Sequence, residues 1–273
     1  MFSCSRLIVL LCGCLLCAQL PAQTSPAPAP AIPSQPAATE SPADQLVDQL
    51  VESASLYQTT LPSLNAHESI ESKSSWLIYR PHATAEATVH IAHNAAGTML
   101  ESRQYTMLNG KPVAVDQHVT LPADVTDDFN YNIQAMVFTH KLRGCYNFSL
   151  ESQAVPGAPL DLRISFKPDG VAHGCPARLN GLTGVARVDP AAHQLIHLGL
   201  NIPNGPGEPY FRILSASNDY APVKIGDKTF WLPTATAEDL VNNRNKAKGH
   251  FTVHYSDYHQ YTASVTILPA TPQ

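Results

Sequence analysis

The chain carries little charge. Asp, Glu, Lys and Arg make up only 14% of its 273 residues, and 17 basic residues stand against 22 acidic ones, for a net charge of −5. A nucleic-acid-binding protein usually presents an excess of basic residues on one face, so this class of partner is excluded. A charged fraction this low is common in β-rich exported proteins.

Long apolar runs are also scarce. The segment 7–20 is apolar but shorter than the ~20 residues that a spanning helix needs, and no later segment approaches that length. Arg6 precedes this segment, and small residues lead up to Ala22, which together predict a signal peptide over residues 1–22. We therefore expect a periplasmic or secreted protein without a transmembrane segment.

One alternative concerns the N-terminus. The residues Leu-Cys-Gly-Cys at 11–14 resemble a bacterial lipobox, which would leave a lipidated Cys14 as the first residue of the mature protein. Because the apolar run continues at Leu15 and Leu16, cleavage near Ala22 and soluble export are favoured.

Few cysteines remain after the leader. Only Cys145 and Cys175 follow it, and two cysteines in an exported protein indicate a disulfide. They cannot form a structural zinc site on their own, because such a site has four ligands. The cysteines lost with the leader are Cys4, Cys12, Cys14 and Cys17.

The remaining chain divides into a tether and one domain. Residues 23–41 are rich in Pro, Ala, Ser and Gln, a composition that cannot form a core and is typical of an extended tether. Ser41 is a suitable N-cap and Pro42 a suitable first helical residue, so a helix is predicted to begin there and to end before Pro62. Apolar residues at helical spacing give this helix one apolar stripe, and the single domain is predicted to span residues 42–269.

Beyond residue 75 the apolar period changes to two, which predicts antiparallel strands with one apolar and one solvated face. Hairpin turns are expected at Asn109-Gly110 and around Gly226, because these turns require positive φ. A strand is predicted at 112–121, a short second helix at 127–138, and separate strands at 250–257 and 259–267. The fold class is mainly β within α+β: a large curved antiparallel sheet, or half-barrel, with both helices packed on its apolar face.

The C-terminal third carries a family resemblance. The motifs are Tyr-Ala-Pro-Val at 220–223, Phe-Trp-Leu-Pro-Thr at 230–234 and Tyr-Ser-Asp-Tyr-His at 255–259. This succession resembles the ending of LolA-like proteins, the carriers and sensors related to outer-membrane lipoprotein-sorting proteins. From about residue 41 the chain also resembles uncharacterised exported proteins of acidobacterial type. The resemblance implies a half-barrel lidded by helices, with an apolar concave cavity that takes acyl chains in the carriers.

No catalytic, cofactor or metal site is predicted. His250 and His254 share a strand face but lie ~13 Å apart along it, too far to bind one ion. The chain has no Gly-x-Ser-x-Gly motif and no phosphate-binding glycine loop, and a catalytic triad cannot be argued from composition alone. Candidate ligand-facing aromatics are Trp231, Tyr255, Tyr258 and Tyr261, for which packing in the core is the alternative role.

Two functions follow as hypotheses. The first is a non-enzymatic cell-envelope protein that binds an apolar ligand, a lipid or an acylated protein, in the concave face of the sheet. The second is a structural or interaction module whose sheet face is fully packed and which binds an envelope protein. A hydrolase is the third and least supported, because no nucleophile, base and acid are brought together by the sequence.

Overall fold

A computed structural model describes residues 41–75, 81–93, 99–115, 117–122, 133–151, 157–204 and 211–261. The predicted signal peptide, Cys14, the predicted tether before residue 41 and the end of the predicted domain beyond residue 261 lie outside these residues. The described helices are α1 (Pro42–Thr60) and α2 (His140–Arg143). The described strands are β1 (Leu64–Ser75), β2 (His82–His93), β3 (Met99–Leu108), β4 (Lys111–Pro112), β5 (Tyr146–Leu150), β6 (Leu160–Phe166), β7 (Thr183–Asp189), β8 (Gln194–Asn201), β9 (Phe211–Ile225), β10 (Lys228–Asn242) and β11 (Lys248–Gln260).

Helix α1 begins as the sequence predicts. The backbone N–H of Asp44 donates to Ser41 Oγ at 3.2 Å, and the Ser41 hydroxyl donates to the Asp44 carboxylate at 2.7 Å. Pro42 occupies the first turn, where a missing N–H costs nothing. The buried stripe of the helix comprises Ala43, Leu46, Val47, Leu50, Val51 and Ala54. Among the described residues, no helix is both long and apolar enough to cross a membrane.

The described strands form one open antiparallel sheet of eleven strands, in the order β4-β3-β2-β1-β11-β10-β9-β8-β7-β6-β5. It consists of two meanders, β1 to β4 and β5 to β11, in each of which neighbours in sequence are neighbours in space. The two meanders join where β1 pairs with β11. This arrangement confirms the fold class that alternation predicts.

One face of the sheet, the inner face, is apolar and buried. Directly paired residues point to the same face, so the register identifies its members. One row of paired and buried residues crosses eight strands. Its members are Ala85, Ile70, Val253, Thr236, Asn218, Leu198, Ala186 and Leu162.

Helices and turns cover part of the inner face. Helix α1 packs against β5, β8 and α2, and a 3₁₀ turn at Ile133–Met136 contacts β9. Ile133, Val137 and Phe138 are buried in the core. The segment after β4 also contributes, since Val119 and Leu121 are buried there.

Three local predictions were wrong in detail. Among the described residues of the region 112–121, the strand ends at Pro112. Val113 N–H still donates to the Thr106 carbonyl of β3 at 2.9 Å, but the ladder goes no further and Val115 is 76% exposed. The helix expected at 127–138 is a 3₁₀ turn followed by α2, with residues 123–132 outside the described part. A break between two strands was expected near residue 258, but a single strand, β11, runs through this region. The irregularity there is Asp257, whose φ is positive.

The expected turns are present. Asn109 and Gly110 have φ of 49° and 73° between β3 and β4, and Gly226 has φ of 60° between β9 and β10. These values lie in the left-handed region that asparagine and glycine tolerate best.

The disulfide is confirmed. Cys145 and Cys175 are bonded across a sequence separation of 30 residues, and the bond ties the start of β5 to the loop after β6. The backbone supports the same junction, because Lys167 N–H donates to the Cys145 carbonyl at 2.9 Å.

Loss of this disulfide is expected to destabilise the protein. Cys145→Ser and Cys175→Ser should each lower the free energy of unfolding by roughly 3–4 kcal/mol, because the cross-link restricts the unfolded chain. The double variant should cost no more than either single variant. Urea unfolding under non-reducing conditions measures this, and a single variant with wild-type stability would contradict the structural role of the bond.

Candidate functional site

Helix α1 lies on the inner face as a cover, and polar contacts join it to β8 and to α2, among them His140 of α2 at 3.4 Å from Glu52. Gln194 Nε2, at the start of β8, donates to Ser53 Oγ at 3.2 Å. Arg143 of α2 pairs with Asp48 and, at 3.7 Å, with Asp44. These charged groups are between one third and one half exposed, and ion pairs of this kind contribute about 0–1 kcal/mol each. The apolar stripe therefore supplies most of the attachment.

A small cavity lies beneath α1. Its volume is about 40 Å³, and its walls include Leu50, Tyr57, Leu195, Tyr220 and Trp231. This space is enough for a water molecule but far below the ~300 Å³ of a typical ligand pocket. With α1 in place, this cavity holds no acyl chain.

The four candidate aromatics occupy three different environments. Trp231 is half-buried in the wall of the cavity beneath α1. The ring of Tyr255 is buried and stacks on that of Tyr258 with centroids 6.5 Å apart, while the Tyr258 hydroxyl donates to the Pro233 carbonyl at 2.6 Å. Tyr261 is 44% exposed and meets the ring of His90 edge-on at 5.7 Å. Their role in ligand binding stays a prediction.

A buried ion pair on the inner face was missed by the sequence analysis. Arg103 of β3 donates to both carboxylate oxygens of Glu68 on β1, with Nη2 to Oε1 at 2.8 Å, and to Glu101 at 3.3 Å. The side chains of Arg103 and Glu68 are 1% and 0% exposed. Burial alone would lower the pKa of Arg103, but Glu68 and Glu101 outweigh it and raise the pKa. The guanidinium therefore remains charged inside the protein.

The alanines of β2 provide room for this pair. In the register, Ala87 lies beside Glu68 and Val89 beside Arg103, so the Arg103 side chain crosses β2 to reach β1. Neighbouring strands are ~4.8 Å apart, so the side chain spans the ~10 Å between β3 and β1. A signal was available in the sequence, because Glu68 interrupts the apolar alternation of Ala66 and Ile70.

A second buried carboxylate has no such partner. Glu238 of β10 is 1% exposed, and neither of its carboxylate oxygens has a hydrogen-bond partner among the described residues. In the register it lies between Phe251 and Ala216, both buried, which places it on the inner face. Burial raises the pKa of Glu238 to about 8, although the positive charge of Arg103 acts in the opposite direction.

The outer face of the sheet contains a wide, shallow trough of about 700 Å³. Its floor is a row of paired small polar residues that crosses β5 to β9. This row consists of Asn147, Ser165, Thr183, Asn201 and Ser215. A trough of this size is within the range of ligand and partner sites.

The outer face also carries histidine–carboxylate pairs. His250 Nδ1 lies 2.9 Å from the Asp239 carboxylate, and the Ser215 hydroxyl donates to the same carboxylate at 2.8 Å. The serine thus contacts the acid and not the imidazole, so these three side chains do not make the Ser–His contact of a catalytic triad. Within the described residues no group of three His, Cys, Asp or Glu side chains is arranged to hold a metal ion.

The fold and these surfaces define an open, single-sheet antiparallel β domain with a helical cover. No protein-family model matches the chain, and no curated protein matches it. Among solved structures, it is similar to a DUF1329 family protein from Desulfovibrio piger, with 10% identity, a TM-score of 0.40, and coverage of 83% of this chain and 96% of that one.

Two further similar structures carry names from the family that the sequence resembles. One is a putative outer membrane lipoprotein-sorting protein domain from Vibrio parahaemolyticus, at 12% identity and a TM-score of 0.36, covering 78% of this chain and 92% of that one. The other is a LolA superfamily protein from Nitrosomonas europaea, at 10% identity and a TM-score of 0.31, covering 81% and 94%. The resemblance to acidobacterial exported proteins stays a prediction.

Proposed function

We propose that this chain is an exported, non-enzymatic protein of the cell envelope that binds an apolar ligand, a lipid or an acylated protein, on the inner face of its sheet. The observation that carries the proposal is the way in which α1 is held on the inner face. This helix covers an apolar surface mainly through its own apolar stripe, and its polar attachments to the sheet and α2 are weak. Binding therefore requires that α1 move aside.

Approximate energies make this exchange feasible. Burial of a Val or Leu side chain contributes ~1.5–3 kcal/mol, so the four large residues of the stripe contribute roughly 6–12 kcal/mol. A buried methylene contributes ~0.8 kcal/mol, so a palmitoyl chain with its ~14 methylenes contributes about 11 kcal/mol. The two amounts are similar, and an acyl chain can replace the helix stripe at little net cost.

The location is supported by the disulfide. A stable Cys145–Cys175 bond is expected in an oxidising compartment such as the periplasm or the exterior. We infer that the mature protein begins after the signal peptide, near residue 23, and is soluble; anchoring through a lipidated Cys14 is the alternative. Mass spectrometry of the mature N-terminus distinguishes the two.

Locking α1 to the sheet tests the proposal. The side chains of Ser53 and Gln194 are in contact, so the variant Ser53→Cys with Gln194→Cys places two thiols that a short bifunctional thiol reagent can join, linking α1 to β8. The cross-linked double variant should bind a fluorescent palmitoyl probe about tenfold or more weakly than wild type, because the helix cannot leave the inner face. Each single variant, with its free thiol alkylated, is the matched control and should bind as wild type does.

Lipid extraction from protein purified from its own envelope provides the second measurement. Wild-type protein should carry acyl chains, whereas the locked variant should elute without them. Equal palmitoyl binding by the locked and wild-type proteins, or no binding by wild type, would contradict a ligand site beneath α1.

The alternative function is a structural or interaction module of the envelope. It is supported by the dense packing of the inner face and by the outer trough, which offers a partner an open polar surface. In this case the purified wild-type protein carries no lipid, and chemical cross-linking in intact cells captures an envelope protein in stoichiometric amount. Ser217→Trp, within the trough, should then abolish capture, and Ser69→Trp, on the outer face of β1, should not.

A further inference from the structure

Glu238 stands out on the inner face as a buried acid with no hydrogen-bond partner for either carboxyl oxygen among the described residues. A buried carboxylate without hydrogen bonds costs free energy, because it loses the water that solvates it in the unfolded chain. Neither of its oxygens has a partner among the described residues, although the residue is only 1% exposed. Its paired neighbours, Phe251 and Ala216, are apolar and offer the carboxyl group no side-chain donor.

The neighbouring charges do not relieve this anomaly. Arg103 is the basic side chain whose charge acts on Glu238, but its donors are engaged by Glu68 and Glu101. Arg103 therefore donates to both oxygens of Glu68 and, at 3.3 Å, to Glu101, and it makes no hydrogen bond to Glu238. What Glu238 lacks is a cationic group that brings N–H donors.

We propose that Glu238 binds the cationic amine head group of the apolar ligand, so that the ligand class is a long-chain amine or an amine-bearing lipid. The inference rests on the proposed function, because the ligand's apolar chain occupies the inner face there. An ammonium group supplies three donors and a full positive charge, which favours the ionised form of Glu238, whose two oxygens lack donors from the described residues. A carboxylate head group of the same chain length disfavours that ionised form, because it brings a second negative charge.

Three probes with the same chain and different head groups test this assignment. Dodecylamine, dodecanol and dodecanoate are titrated into the full-length mature protein below their micellar concentrations, with competition against a fluorescent palmitoyl probe as the readout. Wild type should bind the amine about tenfold to a hundredfold more tightly than the alcohol, and the carboxylate most weakly, because charge-assisted hydrogen bonds are the strong ones.

Two variants identify the residue responsible. Glu238→Gln should reduce the preference for the amine over the alcohol to within about threefold and leave the alcohol's affinity unchanged. Glu86→Gln is the matched control, since Glu86 lies exposed on β2 and its variant should keep the wild-type preference. Glu238→Leu serves as a second variant should the amide disturb the fold, and circular dichroism verifies that each variant is folded.

The outcomes separate the two proposals. If wild type and Glu238→Gln bind all three probes with the same preference, the head-group assignment is wrong and the apolar site stands. The head-group assignment is equally wrong if dodecanoate is the preferred ligand of wild type. If wild type binds no probe at all, both proposals fall.

Discussion

Glu238→Gln should make the protein more stable at alkaline pH and reduce the dependence of its stability on pH. The folded-state pKa of Glu238 is raised to about 8 by burial, from 4.5 in the unfolded chain. A raised carboxyl pKa means that the folded state holds this proton more tightly than the unfolded state. The free energy of unfolding of wild type is therefore highest, as far as Glu238 is concerned, below about pH 4.5. It decreases as pH rises from about 4.5 to 8 and stays at the lower level above that.

The size of the effect follows from the same shift. One pKa unit corresponds to about 1.4 kcal/mol, so wild type should lose about 1.4 kcal/mol per pH unit within this window, and at most about 5 kcal/mol across it. Urea unfolding of both proteins at about pH 5, 7 and 9 measures the difference. Parallel profiles for wild type and Glu238→Gln would show that Glu238 is solvated or paired in solution. Glu86→Gln, with its exposed side chain, serves as the control.

The second large effect is expected at Arg103. Arg103→Leu should lower the free energy of unfolding by about 3–5 kcal/mol, because Glu68 is then left buried and charged without a cation. The double variant Glu68→Leu with Arg103→Leu should recover most of this loss, since a buried ion pair and an apolar pair of similar size are often equally stable. A double-mutant cycle by urea unfolding measures the coupling.

A surface ion pair provides the comparison for this cycle. Arg187 lies 2.9 Å from Asp161, but the two side chains are 52% and 29% exposed. Arg187→Leu should therefore cost no more than about 1 kcal/mol. A loss at Arg103 as small as that at Arg187 would mean that water reaches Glu68 in solution.

The two large effects are also coupled to each other. The positive charge of Arg103 lowers the pKa of Glu238, so its removal should raise that pKa further. In the Arg103→Leu background, the benefit of Glu238→Gln should therefore be greater than in wild type at about pH 9, above the wild-type window, and nearly unchanged at about pH 7. If the effects of Arg103→Leu and Glu238→Gln on the free energy of unfolding are additive, Arg103 and Glu238 do not interact.

The sequence predicts the elements whose signals are local. Ser41, Pro42 and Pro62 define the ends of α1 because capping and proline geometry act within one turn. Alternation predicts the long strands, and the turns at Asn109-Gly110 and Gly226 follow from the φ values these residues tolerate. The disulfide follows from the small number of cysteines that remain after the leader.

What was missed depends on contacts between distant residues. Val113 and Val115 alternate as a strand does, yet a strand needs a neighbour, and the register ends at Pro112. The Arg103–Glu68 pair joins residues 35 positions apart, and its burial depends on strand β2 lying between them. Likewise, the environment of Glu238 is set by β9 and β11, and its own alternation with Asp239 gives no hint that it is the inward residue.

The place where β1 meets β11 has a consequence for the order in which the molecule can be assembled. Strand β1 has β2 on one side and β11 on the other, and β11 is the last described strand of the chain. Until that segment has left the ribosome, the first meander exposes a bare strand edge and cannot join the second. A sheet completed only by its final described strand is expected to fold late in synthesis, because its closing contacts join residues far apart in sequence. The same seam offers a way to divide the protein: two separately made pieces, cut between β4 and β5, would associate through this antiparallel pairing and through the packing of α1 on β5, β8 and α2.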